Sequence, residues 1–542
     1  MIRPRHRVAL GFAALAAAAV TALATPPASS APAAPTFTTP VQLTGATGGE
    51  PGIATDKAGN VYVVGPQGIP SVGGGTPGIG YWVSHDNGDT FTNGAVLGSF
   101  LGGGDSDVAV GPDDNKVWLA DLEAIAGEIC TSTDKGNSFT GIGPIPDPSN
   151  CTTINSGQAG PSNDRQWLTV DKGGVAYFSY HEFVSAYPMM FRTDNGGADL
   201  FSHVCGPLVT DPTIALNVPT DVTGGTLVSR PVLDSKGNIY VIFTSTTQPQ
   251  NVDAISNGKP SGTFSQVYLA KSTDHCATFT DLTVFDGSTI GTNTVQFGDD
   301  FNVLTVDGAD NLYAVAAGYV GTTPFDAISH LFLFSSHDGG ATWTAPQQID
   351  TDAGAHMLPA AIGGPGDGQL AIGYFHTVNN VTDPNDTNGQ WAYTVGLSNN
   401  ATAAAPTFAT TDMDNGHIYH KGDICNQGIL CVSGDRSLLD FSAATVDGNG
   451  CVLYTWAGHT DPGQEDDAVA NYVARQTSEC FALPIAATAP SNTVAPSTLP
   501  RTGDDEGSSP TFILAVGAIA VLVGLLMMRR RLSTAAARVD RE

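Results

Sequence analysis

Basic residues are scarce in this sequence. Lys and Arg together number 22 against 52 Asp and Glu, a formal charge of −30. Nucleic acid and anionic lipid surfaces both reward clustered Lys and Arg, so this balance argues against either partner. Charged residues of both signs make up only 14% of the chain, and there are 64 glycines. That is not the composition of a disordered polyelectrolyte, and it reads instead as turn-rich all-β. The eight cysteines contain no Cys-x-x-Cys metal pattern. No P-loop or dinucleotide fingerprint stands out. The run Gly73-Gly74-Gly75 has no helical pattern after it and is not a phosphate cradle.

Long apolar runs are confined to the two ends. Arg3, Arg5 and Arg7 precede an apolar stretch from Val8 to Ala24, followed by small residues around Ser29-Ser30-Ala31. Residues 1–31 are therefore expected to be a secretory signal peptide, outside the fold. At the other end, Leu499-Pro500-Arg501-Thr502-Gly503 precedes an apolar segment, 511–528, and then Arg529-Arg530-Arg531. Residues 499–542 resemble the cell-wall sorting signal of Gram-positive surface proteins. That resemblance implies a sortase cutting between Thr502 and Gly503 and joining the chain to peptidoglycan. The apolar segment is long enough to span a bilayer, and the arginines would hold its tail inside. The membrane span would then exist only before sorting. A plain C-terminal membrane anchor is the alternative. Residues 485–498, rich in Ala, Pro, Thr and Ser, read as an extended linker. In an exported chain, disulfides are the default state of the cysteines.

Between the ends the sequence repeats itself. Ser84-x-Asp86-x-Gly88-x-x-Phe91, Ser132-x-Asp134-x-Gly136-x-x-Phe139 and Ser336-x-Asp338-x-Gly340-x-x-Trp343 are full copies of one motif. Ser272-x-Asp274-x-Cys276-x-x-Phe279 has Cys in place of Gly, and Arg192-Thr193-Asp194-Asn195-Gly196 keeps only Asp and Gly. The spacing suits a closed turn between strands. The carboxylate accepts backbone N–H groups, the hydroxyl ties back to the main chain, and Gly supplies positive φ. A second element, Asp-x-x-Gly before a β-rich run, recurs at Asp56, Asp171, Asp234, Asp307 and Asp447, with weaker copies at Asp113 and at Gly366-Asp367-Gly368. This makes seven units, each offering four short strands. In blade one these are expected near Gly52–Thr55, Val61–Val64, Tyr81–Ser84 and Phe91–Leu97. Such periodicity points to an all-β, seven-bladed β-propeller of four-stranded antiparallel blades over residues 32–484, with six blades as the alternative. Thr36–Leu43 looks like a last strand and is expected to complete blade seven. Phe481–Pro484 is the competing candidate.

The first motif resembles the Asp-box (BNR) repeat of the sialidase-like β-propellers. The resemblance implies that these Asp residues are structural and lie on the face away from the site. In such a blade, the turn after the first strand and the turn after the third share one face. This brings Cys451 beside Cys480 and Cys205 near Cys276. Cys425 and Cys431 lie close enough to close one loop, and Cys130–Cys151 remains by elimination.

The opposite face, at the mouth of the central channel, is where the family's chemistry sits. Residues at the starts of the first strands should ring it: Glu50, Asp105, Asp107, Asp164, Arg165, Arg230, Asp299, Asp300, His356, Asp435 and Arg436. The ends of the second strands add Asp121, Tyr180, His181, Glu182, His376 and His459. Such groups can equally form ion-pair networks that solvate the pore.

Three functional readings follow. A surface propeller would bind an extracellular glycan or protein, with the loops 247–265 and 376–390 available for contact. A sialidase-like hydrolase would need three arginines to clamp the substrate carboxylate, for which Arg165, Arg230 and Arg436 are the candidates. Tyr180 with Glu182 would supply nucleophile and base, and Asp105 or Asp107 the acid. The family's first arginine has Glu50 in its place here, a substitution that would repel sialate. The third reading is a metal-dependent hydrolase or lyase using His181, His356, His376 and His459 with aspartates, a transition metal suiting the histidines and Ca²⁺ the carboxylates.

Overall fold

The computed structural model describes residues 33–66, 79–92, 94–97, 104–112, 116–123, 126–139, 152–154, 163–182, 188–194, 203–211, 228–245, 266–287, 294–297, 301–321, 329–424, 435–463 and 468–483. Residues 1–31 and 485–542, with the motif Leu499–Gly503, lie outside the described residues, as do Asp299, Asp300, Cys151, Cys425, Cys431 and the whole loop 247–265. Among the described residues, no helix is long and apolar enough to cross a membrane.

Apart from one 3-10 turn at Met413–Asn415, the regular elements described are strands. They form seven small antiparallel sheets, one per sequence repeat. Blade 1 runs Gly52–Thr55, Val61–Pro66, Ile79–Ser84, Ala95–Leu97, and blade 2 runs Ser106–Val110, Val117–Glu123, Ala126–Ser132, Thr152–Ile154. Blade 3 has three strands, Asn163–Val170, Ala176–Glu182 and Pro188–Thr193, and its open edge carries an isolated bridge from Phe191 to Val204. Blade 4 begins with the short Val232–Leu233, and blade 5 gains an extra strand, Thr294–Gln296, on the far end of Leu312–Gly321. Blade 6 runs from His356–Gly363 through Leu370–Thr377 and Gln390–Ser398 to Ala409–Asp412. Its third strand also pairs with His420–Lys421.

Blade 7 closes the ring. Ala443–Val446, Val452–His459 and Val469–Arg475 come from the end of the chain, and Val41–Gln42 from its beginning. Val41 pairs with Val473 and Gln42 with Tyr472, while Phe37 bridges Gln476. The Thr38 and Leu43 amides donate to Arg475 and Asn471 at 2.8 Å. The N-terminal segment is thus the closing strand, and Phe481 is buried against the blade instead.

Middle strands are buried on both faces because each blade packs between two others. Val61–Pro66 and Ile79–Ser84 are buried along their whole length. This explains continuous apolar runs where a sheet with one wet face would alternate. Between blades 6 and 7, Tyr393 stacks on Trp456 at 4.6 Å and 6°. Such a contact adds about 0.5–1.5 kcal/mol beyond its buried area.

The Asp boxes lock the turns after the third strands. Ser84 Oγ donates to Asp86 Oδ1 at 2.7 Å and accepts the Gly88 amide at 2.8 Å, while Asp86 accepts the Thr90 amide at 2.9 Å. The same bonds recur at Ser132/Asp134, Ser272/Asp274 and Ser336/Asp338. Hydroxyl donation from Ser138 and Ser132 holds Asp134 down at about 2. Blade 6 keeps a remnant, Ser398 to Asn400 at 3.0 Å. The Asp-x-x-Gly element closes the first turn in the same manner: Asp56 accepts the Ala58 and Asn60 amides at 2.9 Å, and the Tyr62 hydroxyl at 3.1 Å.

Disulfides join Cys205 to Cys276 and Cys451 to Cys480. The first ties blade 3 to blade 4 through the Cys that replaces a box glycine, at φ +67°. Cys130 is also disulfide-bonded, to a residue outside those described.

Candidate functional site

The first strands of the blades converge on the channel, and their starting residues build its mouth. Backbone geometry there is unusual. Glu50 has φ +32°, Arg165 +57°, Leu358 +55° and Leu439 +61°. The pairing register also shifts between Asp164 and Trp167 in blade 3, and between Met357 and Ala360 in blade 6. Bulges of this kind bend a strand end and re-aim its side chains.

At the centre sits Arg165, which is buried. Its guanidinium bonds Glu50 and Asp440 and lies 3.4 Å from Asp105. The Arg165 amide donates to Asp105 Oδ2 at 2.8 Å, and the Asp440 amide to Glu50 Oε1 at 3.0 Å. Arg436 reaches the same Asp440 at 3.0 Å. Arg230 pairs with Asp107, whose carboxylate also accepts the Val108 and Leu168 amides at 2.8 Å. Each candidate clamp arginine therefore faces a carboxylate of the protein itself. Burial pushes Glu50 up to about 8, with Arg165 opposing it, and burial likewise raises Asp107 against the pull of Arg230. Desolvation here outweighs attraction by a single cation.

Trp167, Phe301 and Phe441, from three different blades, form an aromatic cluster at the base of this network. Arg165 lies 4.9 Å over the Phe301 ring, and Arg230 5.8 Å over Trp167. Cation–π contact of this type holds a guanidinium flat on an apolar floor.

The remaining sequence candidates fall in several places. Tyr180 is fully buried between blades 2 and 3, where its ring stacks on Phe191 at 6.0 Å and 8°. That is the setting of a core aromatic. Asp164 and His181 are register partners across the first two strands of blade 3, as are Asn163 and Glu182. His356 and His376 are register partners in blade 6.

Those two histidines belong to a longer row. His330, His356 and His376 stack successively at 6.2 and 6.4 Å. Three aspartates interleave with them. His330 lies 2.7 Å from Asp350, His356 3.0 Å from Asp352, and His376 3.3 Å from both Asp352 and Asp412. Burial opposes charge on His376, but Asp352 and Asp412 raise it to about 9. Asp352 falls far below the ordinary carboxylate value although burial works against this, because His356 and His376 bond it. A second group, His420, Asp435 and His459, lies where blades 6 and 7 meet. His330, Asp350, Asp352, Asp412, His420 and Asp440 were not among the sequence candidates. The pair Asp350-Thr351-Asp352 just upstream of a first strand opening on His356 was the available signal.

On the opposite face, a cavity of about 330 Å³ is lined by Thr55, Asp56, Lys57, Pro112 and Asp447 among others. Its Asp56 and Asp447 already accept turn amides.

Fold and site together define a seven-bladed β-propeller with an ion-paired mouth. No family model matches the chain, and no curated protein does. Among solved structures, a protein of unknown function from Dyadobacter fermentans is 14% identical over 82% of this chain and 99% of its own, with a TM-score of 0.42. A polysaccharide lyase described as an ulvan lyase is 9% identical, over 79% and 94%, at 0.47. A sialidase from Streptococcus pneumoniae is 12% identical, over 82% and 71%, at 0.40. None shares enough sequence or superposes closely enough to assign an activity.

Proposed function

We propose that this chain is a propeller displayed at the cell surface, whose mouth binds an extracellular ligand, a glycan or a protein. One observation carries the reading: Arg165, Arg230 and Arg436 are each engaged by a protein carboxylate. A clamp for an anionic sugar needs guanidinium forks that meet the substrate carboxylate. Here they hold the mouth rigid above an aromatic floor. A rigid polar dish over aromatic rings is suited to recognition. The sorting pattern at Leu499–Gly503 and the signal-like N-terminus support display, with sortase and peptidoglycan as the partners that tether it.

The sialidase-like alternative requires these arginines to exchange their carboxylates for substrate. The test is hydrolysis of a fluorogenic sialoside by the purified chain, beside an Arg436→Ala control and a glycan array. The binding reading expects no turnover and a saturable ligand. Turnover that disappears in Arg436→Ala would replace it with the hydrolase reading.

A further inference from the structure

We propose that His420, Asp435 and His459 form a binding site for a divalent transition metal ion, with zinc as the fitting ion. One ring nitrogen of each histidine and a carboxylate oxygen of Asp435 lie within 4.8 Å of one another. The three come from separate segments. His420 lies on the short strand added to blade 6, Asp435 on the connection into blade 7, and His459 at the end of the second strand of blade 7. The imidazoles of His420 and His459 are 5.1 Å apart.

A second observation concerns His420 itself. The residue is 1% exposed, and its Nδ1 has no hydrogen-bond partner. Its Nε2 lies 2.9 Å from the Asp423 carbonyl oxygen. A carbonyl only accepts, so Nε2 carries the proton and Nδ1 presents a lone pair. A buried lone pair with nothing to bond is costly in a hydrogen-bonding network. Metal-ligating histidines have this arrangement, one nitrogen donating to a carbonyl and the other facing the ion.

The remaining donors are held in place too. The Ser437 amide donates to Asp435 Oδ1 at 2.7 Å, and Asp435 Oδ2 lies 4.0 Å from His420 Nε2, on the edge of the ring next to the free Nδ1. Ser437 Oγ is 2.7 Å from His459 Nε2, so one serine positions both groups. The Asp435 amide is fixed by Asp423 at 2.9 Å. Two imidazoles and one carboxylate suit zinc and leave coordination positions open, whereas Ca²⁺ prefers an all-oxygen set. Asp435 is 35% exposed, which gives the site access to solvent. The neighbouring group, His330, Asp350 and His356, differs. There Asp350 already accepts the Leu331 amide, the Gln348 side chain and the His330 ring. The zinc inference holds whatever ligand the mouth binds.

The test is metal content by mass spectrometry. The full chain is stripped with chelator, dialysed against Zn²⁺, and compared with Asp435→Asn and His459→Gln. The wild type should retain zinc, and each variant should retain one equivalent fewer. Equal content in all three, or none in the wild type, would overturn the proposal. Should a variant fail to fold, Co²⁺ on the wild type keeps the question open to measurement. The expected result is a visible ligand-field band that Zn²⁺ abolishes and Ca²⁺ at the same concentration does not. No band, or displacement by Ca²⁺, would count against the site.

Discussion

Arg165 and Glu50, 115 positions apart in the chain, are ion-paired at the head of the channel. Blade 1 supplies the acid and blade 3 the base, and Asp440 of blade 7 joins them from the other side. The network therefore ties three blades together at the axis.

Arg165→Ala should destabilise the fold strongly. Removing the cation leaves Asp440 with Arg436 alone and takes from the buried Glu50 its cationic partner, and breaking a buried pair costs about 3–5 kcal/mol in comparable sites. Urea denaturation of the variant would show it as a lowered midpoint. An unchanged midpoint would mean that the network contributes no stability.

Stability should fall as pH rises from mildly acid to alkaline. Glu50 sits at about 8 when folded, above its ordinary 4.5. Between those values the folded state binds more protons, so stability declines as pH rises. His376, raised from 6.5 to about 9, adds stability below its unfolded value that is lost as pH climbs through 9. Asp350, Asp352 and Asp412 are lowered, and their contribution is lost only as pH falls below 3.8. The optimum should lie at about pH 4–5. In melting curves across pH, Glu50→Gln should flatten the lower part of the decline, and His376→Gln the upper part.

The bridge between blades 3 and 4 should be worth about 2–4 kcal/mol. The pair Cys205→Ser with Cys276→Gly is informative because it restores the box glycine at a positive-φ position while removing the bridge. If the bridge matters more than backbone comfort, the double variant melts earlier than wild type. A later melt would reverse that ranking.

Ring closure should be sensitive to one side chain. Leu43, 1% exposed, packs with Ile53, Trp82 and Val473 where the N-terminal strand joins blade 7. Leu43→Ala should cost about 2–5 kcal/mol. Val204→Ala, at a half-exposed position, should be nearly silent in the same calorimetric scan.

Much of the architecture was legible in the sequence because its determinants are local. An Asp box places acceptor, donor and glycine within a few residues, and Asp56 meets Tyr62 only six positions on. Repetition of those spacings gave seven blades. Even the closing strand at Thr36–Leu43 was readable as a strand-like segment ahead of the first strand of blade 1, with Phe481–Pro484 its competitor. The site was legible only in part. Arg165, Arg230, Arg436 and His356 were marked by their place at the starts of first strands, and His376 and His459 by theirs at the ends of second strands. Their partners were not. Asp440 and His420 carry no motif, and Tyr180, expected at the mouth from its place at the end of a second strand, packs in the core.

The sequence by itself determined the turns and their period, because hydrogen bonds between near neighbours decide them, and it favoured seven blades over six, a choice the seven sheets then decided. Only the tertiary structure decided which charges meet. The starts of strands from distant blades converge on one axis, and burial there changes their protonation. It also decided that His420, Asp435 and His459 come together, since the ring sets blade 6 against blade 7. Distances between blades depend on how the sheets pack, and packing has no spacing that a linear sequence can display.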